Sequence, residues 1–168
     1  MLKLTLNLLL ILLITALQLS LLPTLGLLTH LNLILCLIVF ICLTNYHRSL
    51  WWTLIAGLFL DLYSPLPFGS LTLILLLTTI LTNFLFKKFF THRTLPALFS
   101  LGLIATLFYQ ITLFTLSWLF YLIKFLPGPW PGFTKIYFIT SFWQIILNLI
   151  FLLVLGLIDR VWKSKTNQ

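Results

Sequence analysis

The stretch "GLFLDLYSPLPFGS", residues 57–70, places a carboxylate inside an apolar run and a turn directly after it. Asp61 is one of only two acidic residues in a chain of 168. Pro65 disfavours helical geometry in the residue before it, and the second proline and the glycine prolong the break. The stretch therefore predicts one helix that ends near Ser64 and another that begins at Ser70.

The composition around this stretch is that of an integral membrane protein. Hydrophobic residues make up 61% of the chain and charged residues 7%, and the mean hydropathy is +1.17. Soluble domains carry roughly 25% charged residues. The polar intervals between the apolar runs are too short to fold separately, so we expect a single polytopic membrane domain over residues 1–168.

Six apolar runs approach the length of about 20 residues that crosses a bilayer. They extend over Leu4 to Leu22, Leu27 to Leu43, Leu50 to Tyr63, Ser70 to Phe86, Pro96 to Ile123 and Tyr137 to Ile158. The connections are short, so sequential helices should be neighbours. The sequence predicts an all-α membrane protein, a six-helix transmembrane bundle.

The basic residues predict how this bundle is oriented. One side collects Lys3, Arg48, Lys87, Lys88, Arg93, Arg160, Lys163 and Lys165, and the other side receives Lys124 and Lys135. Because basic residues concentrate in cytoplasmic connections, both termini are predicted to be cytoplasmic. Trp51, Trp52, Trp130 and Trp162 then lie near the membrane interfaces, where tryptophan is enriched. The scattered charge argues against a nucleic-acid partner, and the basic ends "FKKFFTHR" and "DRVWKSK" are suited to contact anionic membrane lipids.

Asp61 lies about 15 Å from the predicted cytoplasmic edge of its span, near the middle of the bilayer. A charged side chain there costs about 2.5 to 3.5 kcal/mol on insertion scales, so it needs a polar partner. Gln110 and Asn148 are predicted to lie at a similar depth, and we expect Asp61 to bond one of them inside the bundle. Gly57 lies four residues before Asp61 on the same face, where a small residue allows another helix to approach closely.

The remaining reactive side chains indicate no catalytic or metal centre. Cys36 and Cys42 lie six residues apart on one predicted helix, a separation that neither a disulfide nor a zinc pattern fits. His30, His47 and His92 lie at different helix ends with no carboxylate near them in sequence. We therefore expect no cofactor and no enzymatic activity.

One motif resembles that of a known family. The pattern Gly57, Asp61, Ser64, Pro65, Pro67 and Gly69 resembles the signature of the MreD family of bacterial rod shape-determining proteins. The chain is also similar to that family in length, in predicted span number and in the position of the motif in the third span. Asp61, Pro67 and Gly69 match the motif best, and Pro65 stands where the family often has glycine.

The resemblance implies a non-enzymatic scaffold in the bacterial cytoplasmic membrane. Such proteins bind the bitopic protein MreC and work with MreB, RodA and a class B penicillin-binding protein in peptidoglycan synthesis and cell shape. A partner helix would be expected at small or polar positions among the leucines, namely Gly57, Gly102, Thr106, Ser117 and Gly156. Whether the chain also forms a homo-oligomer stays open.

Two other functions remain as alternatives. The family's fold resembles the substrate-binding components of energy-coupling-factor vitamin transporters. That function would need an outward pocket, to which Asp61, Gln110, Trp130 and Tyr63 are candidate contributors. A lipid-modifying membrane enzyme would need a cluster of titratable groups, for which one intramembrane aspartate is little support.

Overall fold

The computed structural model describes residues 13–20, 24–43, 46–89, 95–125 and 135–166. Its regular structure in these residues is helical throughout. The elements are α1 over residues 13–20, a 3-10 helix Gly26–His30, α2 Leu33–Cys42, α3 Tyr46–Asp61, α4 Ser70–Phe89, α5 Leu95–Leu122 and α6 Lys135–Thr166. Lys3, His92, Arg93 and Trp130 lie outside the described residues, as do the side chains of His47, Trp162, Lys163 and Lys165.

Three helices are long and apolar enough to cross a membrane. They are α4, residues 96–122 of α5 and residues 135–161 of α6, with mean hydropathies of 1.7, 1.8 and 2.3. The regular structure of the described residues is thus all-helical, as predicted, and three of its helices suggest a membrane protein by their length and composition. Helix α2 has 10 residues and α3 has 16, both short of a full crossing. Six complete spans and the orientation in the membrane stay predictions.

The second apolar run is not one helix from Leu27 to Leu43, as the sequence indicated. A 3-10 helix ends at His30, Leu31 is extended with ψ 124°, and α2 begins at Leu33. Asn32 causes the break, because its side chain accepts a hydrogen bond from the Leu35 N–H and so caps α2. Because apolar residues flank Asn32 on both sides, the sequence reads as one continuous apolar run and the cap is not evident from it.

Sequential helices from α2 to α6 pack as neighbours, and α2 also contacts α4, α5 and α6. Two clusters of buried side chains fill the interior. One contains Ile34, Leu35, Ile38, Cys42, Ala56, Leu60, Ile74, Leu75 and Tyr109, and the other contains Cys36, Val39, Leu43, Leu98, Leu101, Ala105 and Leu152. The two free cysteines therefore act as small apolar core residues, because both are buried in these clusters.

Helix α5 ends in a Schellman motif built without glycine. Lys124 has a positive φ of 58°, and its N–H donates to the Tyr121 carbonyl at 2.9 Å. The Phe125 N–H donates to the Phe120 carbonyl, also at 2.9 Å. The rings of Phe120 and Phe125 lie 6.0 Å apart, which is the apolar contact that accompanies this motif. Two carbonyl groups in the last turn of this long apolar helix thus receive hydrogen bonds from the residues that follow it.

The predicted orientation can be tested with fusions at the C-terminus. A fluorescent protein fused after Gln168 should fold and fluoresce, whereas alkaline phosphatase at that position should be inactive, because the first folds in the cytoplasm and the second only outside it. Phosphatase inserted after Pro67, in the connection between α3 and α4, should be active. Phosphatase activity at the C-terminus with none after Pro67 would show that the orientation is reversed.

Candidate functional site

A row of small and polar side chains joins α3 to α4, and we call it the α3–α4 seam. On α3 the row repeats every fourth residue, and on α4 it faces three polar residues. Its members are Ser49, Thr53, Gly57 and Asp61 on α3, and Thr72, Thr79 and Asn83 on α4, all of them buried. Residues four apart share one helix face, so the row forms a continuous contact line.

Asp61 is the last residue of α3, and its carboxylate reaches the first turn of α4. It accepts from the Leu71 N–H at 2.8 Å, from the Thr72 N–H at 3.0 Å and from the Thr72 hydroxyl. The first four N–H groups of a helix have no partner within that helix. Asp61 therefore acts as the N-cap of α4 from the end of the preceding helix, and its negative charge lies at the positive end of the α4 dipole.

This cap must come from elsewhere in the chain because Gly69, the residue before α4, has no side chain. Gly69 has a φ of 91°, a conformation in the region that favours glycine. The turn is closed by the Pro67 carbonyl, which accepts from the Ser70 N–H at 3.1 Å, and by the Ser64 hydroxyl, which accepts from the Leu66 N–H at 3.1 Å. The turn thus folds α4 back until its first amides meet Asp61.

Gly57 allows the two helices to approach closely enough for this contact. A Cβ placed on Gly57 would lie 2.7 Å from the Thr72 Cα and 2.9 Å from its Oγ1. The first of these is a backbone atom, which cannot move aside without shifting α4. Gly57 and Asp61 therefore serve one arrangement, in which the glycine brings the helices together and the carboxylate binds the end of α4.

The other end of the seam is held by side-chain hydrogen bonds. The hydroxyl oxygens of Thr53 and Thr79 lie 2.8 Å apart, and the Asn83 Nδ2 donates to the Ser49 hydroxyl at 2.9 Å. Helices in lipid associate through close packing and hydrogen bonds, since lipid tails are as apolar as leucine. The seam provides both along the whole length of α3.

The expectation that Asp61 bonds Gln110 or Asn148 is wrong. The Asn148 Oδ1 accepts from the Asn32 N–H at 2.9 Å, and Gln110 donates to the Gln144 Oε1. The prediction compared only the depth of each side chain along its predicted helix. It overlooked the free amides at the start of α4, which lie beside the end of α3 and need an acceptor.

Asn148 belongs to a second buried network, which we call the amide network. Its Nδ2 donates to the Thr106 hydroxyl at 3.4 Å, and Gln18 donates to the Asn32 Oδ1 at 3.4 Å. The Gln18 Oε1 accepts from the Ile34 N–H at 3.0 Å. The network therefore links α1, α5 and α6 at the break between the 3-10 helix and α2.

A polar cleft of about 390 Å³ lies beside this network. Its lining includes Gln18, His30, Gln110, Tyr137, Ser141 and Gln144. Of the four candidates for an outward pocket, Gln110 lines the cleft and Trp130 lies outside the described residues. Asp61 is not part of this lining, and Tyr63 is not either, being 72% exposed.

Several residues of the seam and the cleft escaped the sequence analysis. Thr72, Asn32, Gln18 and Gln144 stand among many threonines and amides of an apolar chain, and the sequence does not single them out. Two signals were present. Asn32 directly before an apolar run is an N-cap pattern, and the four-residue repeat from Ser49 to Asp61 marks one helix face.

The comparisons with known proteins place the chain in no family, because no protein-family model, curated protein or solved structure matches it.

The carboxylate cap predicts a graded loss of stability. Asp61→Leu leaves the buried Thr72 N–H and the partly buried Leu71 N–H without an acceptor, so we expect it to lower the free energy of unfolding by about 2 to 4 kcal/mol. Asp61→Asn retains one acceptor oxygen and should lose less. Thr72→Val should cost about 1 kcal/mol, since it removes only the hydroxyl donor. Reversible unfolding in mixed micelles measures these values.

Thr115→Val is the matched control on an exposed face of α5, and its free energy of unfolding should change little. Equal stability of wild type and Asp61→Leu would refute the cap.

The close approach predicts that Gly57→Ala destabilises the chain. Alanine favours a helix over glycine by about 1 kcal/mol. Overpacking costs about 1 to 3 kcal/mol, and a clash with the Thr72 backbone lies at the high end of that range. The thermal midpoint in detergent should therefore fall although the helix propensity of α3 rises. A higher midpoint would show that the two helices are not in close contact at Gly57.

Proposed function

We propose that the chain is a non-enzymatic membrane scaffold of the bacterial cell-elongation machinery. It binds the bitopic protein MreC and supports peptidoglycan synthesis together with MreB, RodA and a class B penicillin-binding protein. The proposal rests on the resemblance of residues 57–69 to the MreD motif and on the surface of α6.

The observation that carries the proposal is the exposed apolar length of α6. Its apolar segment extends over 27 residues, and 17% of its most apolar window is buried, against 44% for α4 and 50% for α5. Six of its exposed large apolar residues lie on one face and form a stripe along it. The members of this α6 stripe are Ile136, Trp143, Ile150, Val154, Leu157 and Val161. Their spacing of three, four or seven residues places them on one face.

The positions first expected to contact a partner helix are instead buried in contacts between helices of this chain. Gly57 packs on Thr72, Gly102 packs on Leu152 and Thr106 bonds Asn148. Ser117 and Gly156 are also buried. A partner helix would therefore contact another surface, and the α6 stripe lies on the membrane-span candidate whose apolar window is the least buried, at 17%.

The seam supports a scaffold in a different way. Asp61 is 4% exposed and accepts three hydrogen bonds, so its carboxylate is engaged in holding α3 to α4. A bundle stiffened in this way keeps its outer faces in fixed relative positions. Fixed faces are what an adaptor between two membrane partners needs.

Lipid can also cover the α6 stripe, so exposure alone does not select an occupant. The motif resemblance selects the transmembrane helix of MreC. Association in lipid would then depend on van der Waals packing along the stripe. A bulky residue in the middle of the stripe should prevent the two helices from approaching.

A vitamin-transporter component is the second candidate, favoured by the polar cleft. A cleft of about 390 Å³ lies within the range of small-molecule sites, about 300 to 1,000 Å³. Two of the four residues expected for that function, Asp61 and Tyr63, are not part of its lining. The scaffold is therefore the better supported of the two.

Co-purification with MreC of the same organism tests the proposal. Wild type should retain MreC in mild detergent, and Val154→Trp should reduce the retained amount at least several-fold through a steric clash on the α6 stripe. Leu77→Trp is the matched control, since Leu77 is 41% exposed on α4 and Val154 is 46% exposed on α6.

Loss of MreC from Val154→Trp with retention by Leu77→Trp would support docking on α6. Failure of the wild type to retain MreC, or equal retention by both variants, would contradict it. A vitamin bound to wild-type protein that retains no MreC would favour the transporter component.

A further inference from the structure

The polar cleft combines hydrogen-bonding groups with a few apolar side chains. Amides and hydroxyls dominate its polar lining, and none of the described residues that line it is Asp, Glu, Lys or Arg. A cleft of this kind gives an ionic ligand little counter-charge. A ligand that leaves a buried amide unpaired there would lose about 1 to 3 kcal/mol for each such group.

One wall of the cleft is fixed in advance by hydrogen bonds centred on Gln110. Its Oε1 accepts from the Tyr137 hydroxyl at 3.0 Å and from the Ser141 hydroxyl at 3.4 Å, and its Nε2 donates to the Gln144 Oε1. These bonds orient Gln144, whose Nε2 donates to no described residue. The wall therefore holds an amide donor in place for a ligand.

The lining also contains Thr29 and His30 from the 3-10 helix. Within the described part of the chain, neither side chain makes a hydrogen bond. Both an imidazole and a hydroxyl can donate and accept. A ligand in the cleft therefore meets donors and acceptors from α5, α6 and the 3-10 helix, as a hydroxyl-rich group requires.

Aromatic rings lead from the cleft along α5. Tyr137 lies at the cleft, and its ring centroid is 5.9 Å from that of Phe114. Phe114 is followed by Trp118 at 6.4 Å, and Trp118 by Tyr121 at 5.8 Å. Such rings present flat surfaces on which the C–H face of a sugar ring packs.

We propose that this cleft binds an uncharged sugar ring. The amide and hydroxyl groups bond its hydroxyls, and the Tyr137 ring packs against its C–H face. The sugar is presented either as the headgroup of a membrane glycolipid or as a free sugar. This inference is independent of the scaffold proposal, because the cleft does not include the α6 stripe.

Native mass spectrometry of the full-length protein in a sugar-free detergent tests it. The probes are monoglucosyl diacylglycerol, diacylglycerol with the same acyl chains, and methyl β-glucoside. Wild type should retain the glucolipid about tenfold more than diacylglycerol, the effect of one or two good hydrogen bonds. Competition by methyl β-glucoside would show that the sugar alone is recognised, and retention without competition would identify the lipid headgroup as the source.

Two variants locate the site. Gln144→Met and His30→Ala should each lower glucolipid retention about tenfold, since each removes one hydrogen-bonding group. His30 makes no hydrogen bond to a described residue, so its variant should fold even if Gln144→Met does not. Thr115→Ala, on an exposed face of α5, is the control and should bind as wild type does. Equal retention of both lipids without glucoside binding would overturn the inference, as would unchanged binding by a folded His30→Ala variant.

Discussion

The amides that open α4 need acceptors inside an apolar bundle, and the Asp61 carboxylate supplies them. Where water is scarce, each unsatisfied backbone group costs several kcal/mol. Gly69 cannot cap the helix itself, so the acceptor must come from another element. The turn from Ser64 to Gly69 brings α4 to the end of α3, and Gly57 allows contact there. The motif is therefore one physical unit built around a helix terminus.

The sequence predicted this unit only in part, for a physical reason. Asp61, Gly57 and Gly69 stand out because acidic residues and glycines are rare in an apolar chain. Their partner Thr72 does not stand out, since its pairing depends on backbone amides that every residue carries. The start of α4 at Ser70 was predicted correctly, whereas α3 ends at Asp61 and not near Ser64. The break at Asn32 was missed because its cause is one side-chain cap. Pairs such as Asn32 with Asn148 are 116 residues apart and follow only from packing.

The polar residues of the bundle fall into two sets with different consequences. The α3–α4 seam is closed, since its side chains are buried and bond one another or the backbone of α4. The cleft is open, and Gln144 and His30 keep hydrogen-bonding capacity there. A closed seam contributes rigidity, which a scaffold needs, and an open cleft contributes recognition. The proposed docking face on α6 and the proposed ligand site in the cleft thus lie on different residues of one small bundle.

The distance from the Asp61 carboxyl carbon to the Thr72 amide nitrogen tests the central claim most directly. The chain has only two acidic residues, so an Asp159→Asn variant labelled with ¹³Cγ-aspartate and ¹⁵N-threonine carries one labelled carboxyl carbon. Solid-state dipolar dephasing in lipid should show this carbon within about 4 Å of a threonine nitrogen, as the hydrogen bond of 3.0 Å requires. The absence of dephasing would contradict the account, because Asp61 would then not bind the start of α4.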